Sequence, residues 1–524
     1  MWSSFFQSTW FIKVRSFLPF LLILAYGALF HFTAETSHLI GNYESETDFY
    51  WTYVPDAKAL SSGEMSFSTL LYKRGAFYFL ILAILKPLFR DWFIAGRFLS
   101  LFSACFCLIL GYHLVRTLFG QTTGWLCFLA LASNFIFQRH SYEVGYDMFN
   151  LMLLLISLSL VFAKKRSPAR IFIGGFIGGL AFLTRFNMVI LLPFFIFTGF
   201  SGLRLRAYDY YRSLSSAAGF LVVYGSWMVN NVLRTGKFYS EISLLTMVRD
   251  FHHFKSGSTG VDSAATEFFR SNSSLLDLFM LDPFLFMKKW IYGIGVYIYQ
   301  DINLVLGIPI TVMIVVGIGL LRFSKLDKAQ IRLLIFLVFS VLILGLSHFE
   351  LRFSLAHLLI YMILAVHPLG SLIARTSGSI RGILYGVLVF FILIIGCLNF
   401  RLSLFAMQAG PAEILPIAAH IRENSQYKNM TITARKPHIG YYADLPWFPL
   451  HMSPVDQIQT PELLAHWAVK NKIKLLYWSE IEHHVLPNLR FLDKVTLHGA
   501  WQPVIYSKKA VLYELSLPTA ESLK

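Results

Sequence analysis

The chain has 524 residues, 56% of them apolar, 16% aromatic and only 14% charged, with a formal net charge of +16. That makeup excludes an ordinary soluble globular domain and gives a polytopic membrane protein. Lys and Arg gather in short loops between apolar runs, as topology signals do, so the positive balance argues for orientation in a lipid bilayer and against a nucleic-acid partner.

The first apolar run, 17–32, follows Lys13 and Arg15 and has no small-residue cleavage site after it, so it reads as a retained helix rather than a signal peptide. Further runs long enough to span lie near 94–115, 122–138, 147–163, 169–184, 187–203, 213–232, 303–322, 331–347, 354–374 and 381–400. They predict an α-helical polytopic membrane protein with about eleven transmembrane helices. Residues 76–85 are apolar too, but this run is only about ten residues long and is bracketed by Lys73, Arg74, Lys86 and Arg90, which suits an interfacial helix.

With that segment left out of the bilayer, the basic clusters near 164–170, 204–212, 322–332 and 375–381 all fall on the side of the N-terminus. Positive-inside then predicts a cytoplasmic N-terminus in an inner-membrane type of bilayer. The outer face receives the loop 33–93, the stretch from Arg139 to Asp147, the long loop 234–300 and everything beyond Arg401.

Residues 1–404 therefore read as a membrane domain and 405–524 as a small exported soluble α/β domain. In the tail, apolar and β-branched residues concentrate at 430–434, 473–478 and 510–515, predicting strands, while 412–423 and 461–472 predict helices, the second started by Thr460 and Pro461. All four cysteines lie inside apolar runs, so no disulfide framework is implied. The adjacent pairs His252-His253 and His483-His484 read as surface residues rather than metal ligands.

Asp and Glu total only 29 residues, yet three of them cluster in Glu44-Ser45-Glu46-Thr47-Asp48-Phe49-Tyr50, directly after the first span. Carboxylates at a bilayer surface, flanked by cations on the face without nucleoside triphosphates, suit transfer from a lipid-linked activated group. A sugar on a polyprenyl phosphate already carries a good leaving group, so one carboxylate base and a phosphate-binding cation suffice, unlike the two carboxyl groups of a glycosidase.

The order of acidic loop, interfacial helix, Arg97 early in the second span, Asp147 at the next outer loop and a soluble tail resembles the GT-C glycosyltransferases. The likeness is to the protein O-mannosyltransferase and aminoarabinose transferase branch, and it spans roughly residues 15 to 235. Asp48, the region 56–60, Ser62-Gly63 and Lys73-Arg74 follow that family's order of acid, amphipathic helix, small residue with Gly, and basic residue. Phe49 stands where many members have a second acid, and Arg74-Gly75 where many have Lys-Pro, which leaves Glu46 a rival for Asp48.

By resemblance, Asp48 is a general base that takes the proton of the acceptor hydroxyl as it attacks the anomeric carbon with inversion; the alternative is a helix cap. Asp147 matches the family's second acidic position and would orient the acceptor, the sugar or a divalent ion such as Mg or Mn, or else serve as an ordinary N-cap. Lys73, Arg74 and Arg352 are the candidates for binding the leaving phosphate. Arg352 could instead pair with Glu350 or anchor at the interface. The implied donor is a polyprenyl-phosphate sugar, and the acceptor a glycolipid such as lipid A, a polysaccharide or a protein. A transporter or flippase of lipid-linked sugars, or an envelope scaffold, are the competing functions.

Overall fold

The structure, a computed structural model, describes residues 9–73, 75–163, 167–200, 207–238, 241–256, 274–347, 349–450, 458–493, 500–507 and 509–516. Two compact units emerge from the packing: residues 1–34 with 56–406, and residues 35–55 with 407–524.

The first unit is helical. Each expected apolar run is mostly helical over its described residues, although 122–138 is split between two helices at Ser133 and Asn134, and length divides them. Among the described residues, Phe17–Ser37, Trp92–Phe119, Pro283–Leu320, Leu351–Ile373 and Gly378–Gln408 are long and apolar enough to cross a membrane. A sixth crossing results if Phe135–Tyr142 and Asp147–Val161, which meet at 113°, form one broken span. The expected count of about eleven is thus not reached by length alone. A span needs about 20 residues, whereas the helix Gln121–Ala132 stops after 12 residues and Pro168–Thr184 and Lys328–Leu344 have 17 each.

Local chemistry sets these ends. Gln121–Ala132 stops where Asn134 turns its side chain onto the Phe137 amide at 3.1 Å and starts the next helix. Lys328–Leu344 begins in a capping box between Asp327 and Gln330. Pro168–Thr184 packs closely against Ala207–Thr235, where small residues let the backbones meet: a Cβ on Gly175 would lie 1.9 Å from the Ser216 carbonyl oxygen, and one on Gly219 2.1 Å from that of Phe172. Residues 76–85 form the expected short helix, Ala76–Leu85, with Ala76, Tyr78, Phe79 and Leu82 buried.

The second unit holds a five-stranded mixed sheet: β1 Thr431–Ala434, β2 Trp447–Pro449, β3 Ile473–Ser479, β4 Trp501–Ser507 and β5 Ala510–Leu515. The order is β2-β1-β3-β5-β4, with β1 parallel to β2 and β3, and β5 antiparallel to β3 and β4. Alternation along β3 divides the core between two faces. Leu476 and Trp478 join Leu464, Trp467 and Trp501 on one face, while Leu475 and Tyr477 join Ile417, Ile432 and Leu512 on the other. Ile40 and Tyr43 complete that second cluster, so the acidic segment is built into the sheet domain by its own apolar residues. The three predicted strands and both predicted helices are present. β2 and β4 were not expected: β2 has three residues, and β4 carries Pro503 at a register break on the sheet edge, the position a strand proline tolerates.

Candidate active site

Within the second unit, residues 38–50 form a tight acidic turn. Glu46 accepts the Asn42 amide at 2.7 Å and lies 3.1 Å from His38 Nε2, both side chains fully buried, so its two oxygens are committed to the shape of the loop. Asp48 is half-buried and precedes the π-helical turn Phe49–Tyr53 without capping it through its side chain. The strand-to-helix segment 435–442 lies against it. Burial and the neighbouring Arg435 pull the Lys436 ammonium below its ordinary range, and the carboxylates of Asp48 and Glu44 act against that shift. His438 sits between the rings of Tyr43 and Tyr50, at 4.8 and 4.2 Å, and burial, with Lys436 nearby, brings its imidazole down to about 3. The Tyr50 hydroxyl accepts the Gly41 amide at 2.9 Å and lies 3.1 Å from that of Tyr442.

Within the first unit, a second polar centre forms at the bend between Phe135–Tyr142 and Asp147–Val161. Glu143 accepts from Arg139 Nε at 2.7 Å and lies 3.3 Å from His140 Nδ1. Asp147, the first residue of its helix, pairs with Arg185, which ends the helix Pro168–Thr184. Both are buried, at 7% and 2% exposure. The Arg185 guanidinium lies 4.2 Å from the Phe353 ring centroid and 5.1 Å from that of Tyr146. Phe353 belongs to the 3-10 turn Leu351–Ser354, which also carries Arg352, and Arg352 pairs with Glu350.

Lys73 reaches Asp56 at 3.1 Å and is about a third exposed. Two residues on, Gly75 takes φ +94, a value that favours glycine, and a Cβ there would come within 3.4 Å of the Tyr146 ring. The segment after Lys73, the Arg352 turn and Asp147 are thus gathered around Tyr146 and Arg185. Arg74 lies outside the described residues. Arg97 is buried and donates to the Ala34 carbonyl at 3.1 Å. Among the described residues no three His, Cys, Asp or Glu side chains are placed to hold an ion. The Asp147 carboxylate is turned to a guanidinium, so the donors as arranged do not fit Mg or Mn.

Arg185 is the residue that the sequence reading left out. Its signal was available: in the positive-inside topology it stands alone between two short runs on the outer face, where topology gives no reason for a cation.

A sequence match to the dolichyl-phosphate-mannose-protein mannosyltransferase family covers residues 73–227, the stretch containing Lys73, Asp147 and Arg185. No curated protein sequence matches the chain. Its structure is similar to that of ArnT from Cupriavidus metallidurans in the apo state over 97% of this chain and 100% of that one, with a TM-score of 0.59 at 12% identity. The chain has the fold of ArnT. The likeness extends to the same ArnT bound to undecaprenyl phosphate, over 95% of this chain and 99% of that one, at a TM-score of 0.55 and 13% identity. It extends also to the Archaeoglobus fulgidus oligosaccharyltransferase AglB in complex with an inhibitory peptide and a dolichol-phosphate, over 88% and 70%, at a TM-score of 0.54 and 10% identity.

Proposed function

We propose that the protein transfers a sugar from a polyprenyl-phosphate donor to a glycolipid, polysaccharide or protein acceptor on the outer face of the membrane. The observation that carries this reading is the buried Asp147–Arg185 pair at a helix bend, in a fold shared with an ArnT that binds undecaprenyl phosphate. Ionisable groups in a membrane domain are expensive, and a paired set at a break in a helix is a functional centre by default.

In the proposed step, Asp48 takes the proton of the acceptor hydroxyl, the oxygen attacks the anomeric carbon, and the bond to the phosphate breaks with its electron pair going to the leaving polyprenyl phosphate. The configuration inverts. Charge grows on that phosphate as the bond lengthens, so fixed cations lower the barrier more than they favour the ground state. Lys73, Arg74 and Arg352 are assigned this role, with Arg185 added to them, and Asp147 holds Arg185 in place. Glu46 is assigned to the loop's architecture, since its oxygens are bonded within it. The N-terminus is cytoplasmic in this reading, and residues 405–524 lie outside, in the periplasm of a bacterial inner membrane.

Reconstituted protein with a panel of polyprenyl-phosphate sugars and a membrane extract as acceptor tests the proposal. Release of free polyprenyl phosphate by the wild type and its loss in Asp48→Asn support it. Movement of intact lipid-linked sugar between leaflets, without release, supports the flippase.

A further inference from the structure

Pro283–Leu320, the longest apolar helical stretch among the described residues, contains a buried acid that the proposed transfer step does not use. Asp301, 1% exposed, begins a π-helical segment Asp301–Leu306 between two α-helical segments. Such segments recur at functional sites, because the wider turn frees backbone groups and re-aims side chains. This one is fastened at its far end by Asn134, whose side-chain amide donates to the Val305 carbonyl at 2.7 Å.

At its near end the Asp301 carboxylate accepts three hydrogen bonds from little more than two turns of chain: Ser354 Oγ at 2.5 Å, Tyr361 hydroxyl at 2.8 Å and His357 Nε2 at 3.0 Å. The other ring nitrogen of His357 meets Ser340 Oγ at 2.8 Å. All these contacts are satisfied at once if Asp301 is ionised and His357 is neutral with its proton on Nε2, so that Ser340 donates to Nδ1. Ser354 immediately precedes the helix Leu355–Ile373, so the carboxylate also sits at a helix N-terminus, where the backbone dipole favours negative charge.

The turn so held is Leu351–Ser354. It bears Arg352 and places Phe353 against Arg185, the partner of Asp147. We infer that Asp301 is a positioning residue of the transfer site, clamping this turn through Ser354, His357 and Tyr361 so that Phe353 and Arg352 are presented to the Asp147–Arg185 centre. A rigid turn matters here because displacing a phosphate-binding group by about 1 Å costs on the order of 100-fold in rate. This inference rests on the proposed transferase reading for its catalytic part, while the clamp itself does not.

The test uses the full-length protein in lipid nanodiscs, with donor saturation kinetics and hydrogen exchange measured side by side. In Asp301→Asn, kcat falls about 30-fold while KM for the polyprenyl-phosphate sugar moves by less than about threefold. Exchange across residues 351–357 speeds at least about tenfold, with residues 92–119 unchanged. Tyr361→Phe and Ser354→Ala each remove one donor and leave two, so they show the same pattern at smaller amplitude and carry the test if Asp301→Asn does not fold. Unchanged exchange at 351–357 overturns the clamp. Faster exchange with wild-type kcat overturns the positioning role. If the wild type transfers no sugar at all, the transferase reading fails with it, and the exchange measurement still decides the clamp.

Discussion

Neutralising Asp147 separates a structural ion pair from a working one. In Asp147→Asn the Arg185 guanidinium, only 2% exposed, keeps its charge and loses its carboxylate. Breaking a buried pair from one side costs about 3 to 5 kcal/mol. The faces of Phe353 and Tyr146, at 4.2 and 5.1 Å, remain and offset about 1 to 2 kcal/mol of that. The expected net loss is therefore about 1 to 4 kcal/mol. The double variant Asp147→Leu with Arg185→Met removes both charges at similar volume and returns stability to within about 1 kcal/mol of the wild type. Thermal unfolding in detergent, followed by tryptophan emission, gives the stability side of the cycle, and polyprenyl phosphate release gives the other. The account predicts that stability returns in the double variant and turnover does not. Recovery of turnover together with stability would show that the pair only holds helices together, and the reasoning would fail.

Three further outcomes follow from the geometry. Asp48→Asn abolishes turnover with unfolding unchanged, whereas Glu46→Gln, which disturbs a buried acceptor of two hydrogen bonds, costs about 1 to 3 kcal/mol and leaves the folded fraction active; paired unfolding and turnover measurements read both, and the opposite assignment moves the base to Glu46. His438 takes its proton near 6.5 when unfolded and at about 3 when folded. Between those values the unfolded chain binds more protons, so stability falls as pH is lowered, by up to about 1.4 kcal/mol per pH unit from this group. Buried Glu482, whose carboxyl is raised, works in the opposite sense, so wild type and His438→Phe are compared, and the fall in stability on lowering pH from about 6.5 to about 3 should be smaller in the variant. Gly175→Ala forces a Cβ onto the Ser216 carbonyl at 1.9 Å, so the yield of monodisperse protein drops; Gly225→Ala, with nothing within 4 Å, leaves it unchanged.

The sequence exposed what depends on local pattern. Apolar runs of helical length, the Thr460-Pro461 helix start and the β-branched clusters of β1, β3 and β5 were all legible because each is written in contiguous residues. Crossing number was less so, since whether a run of about 17 residues spans depends on tilt and on the helices packed around it. Arg185 was missed because its partner Asp147 lies 38 positions earlier and only the approach of two helices joins them. Asp301 fell between the expected loop 234–300 and the run 303–322 and was not singled out, because a π-helical segment carries no composition signature. The acidic segment was recognised from its scarce charges, but its attachment to the sheet domain through Ile40 and Tyr43 depends on contacts more than 350 residues away in the chain.

The most direct test of the central claim is release of free polyprenyl phosphate from defined polyprenyl-phosphate sugars by the purified protein in liposomes, with Asp48→Asn and Lys73→Ala alongside. The account predicts release by the wild type, none by Asp48→Asn and a reduced rate in Lys73→Ala. Release that survives Asp48→Asn unchanged, or no release from any donor while the lipid-linked sugar crosses between leaflets, would contradict it.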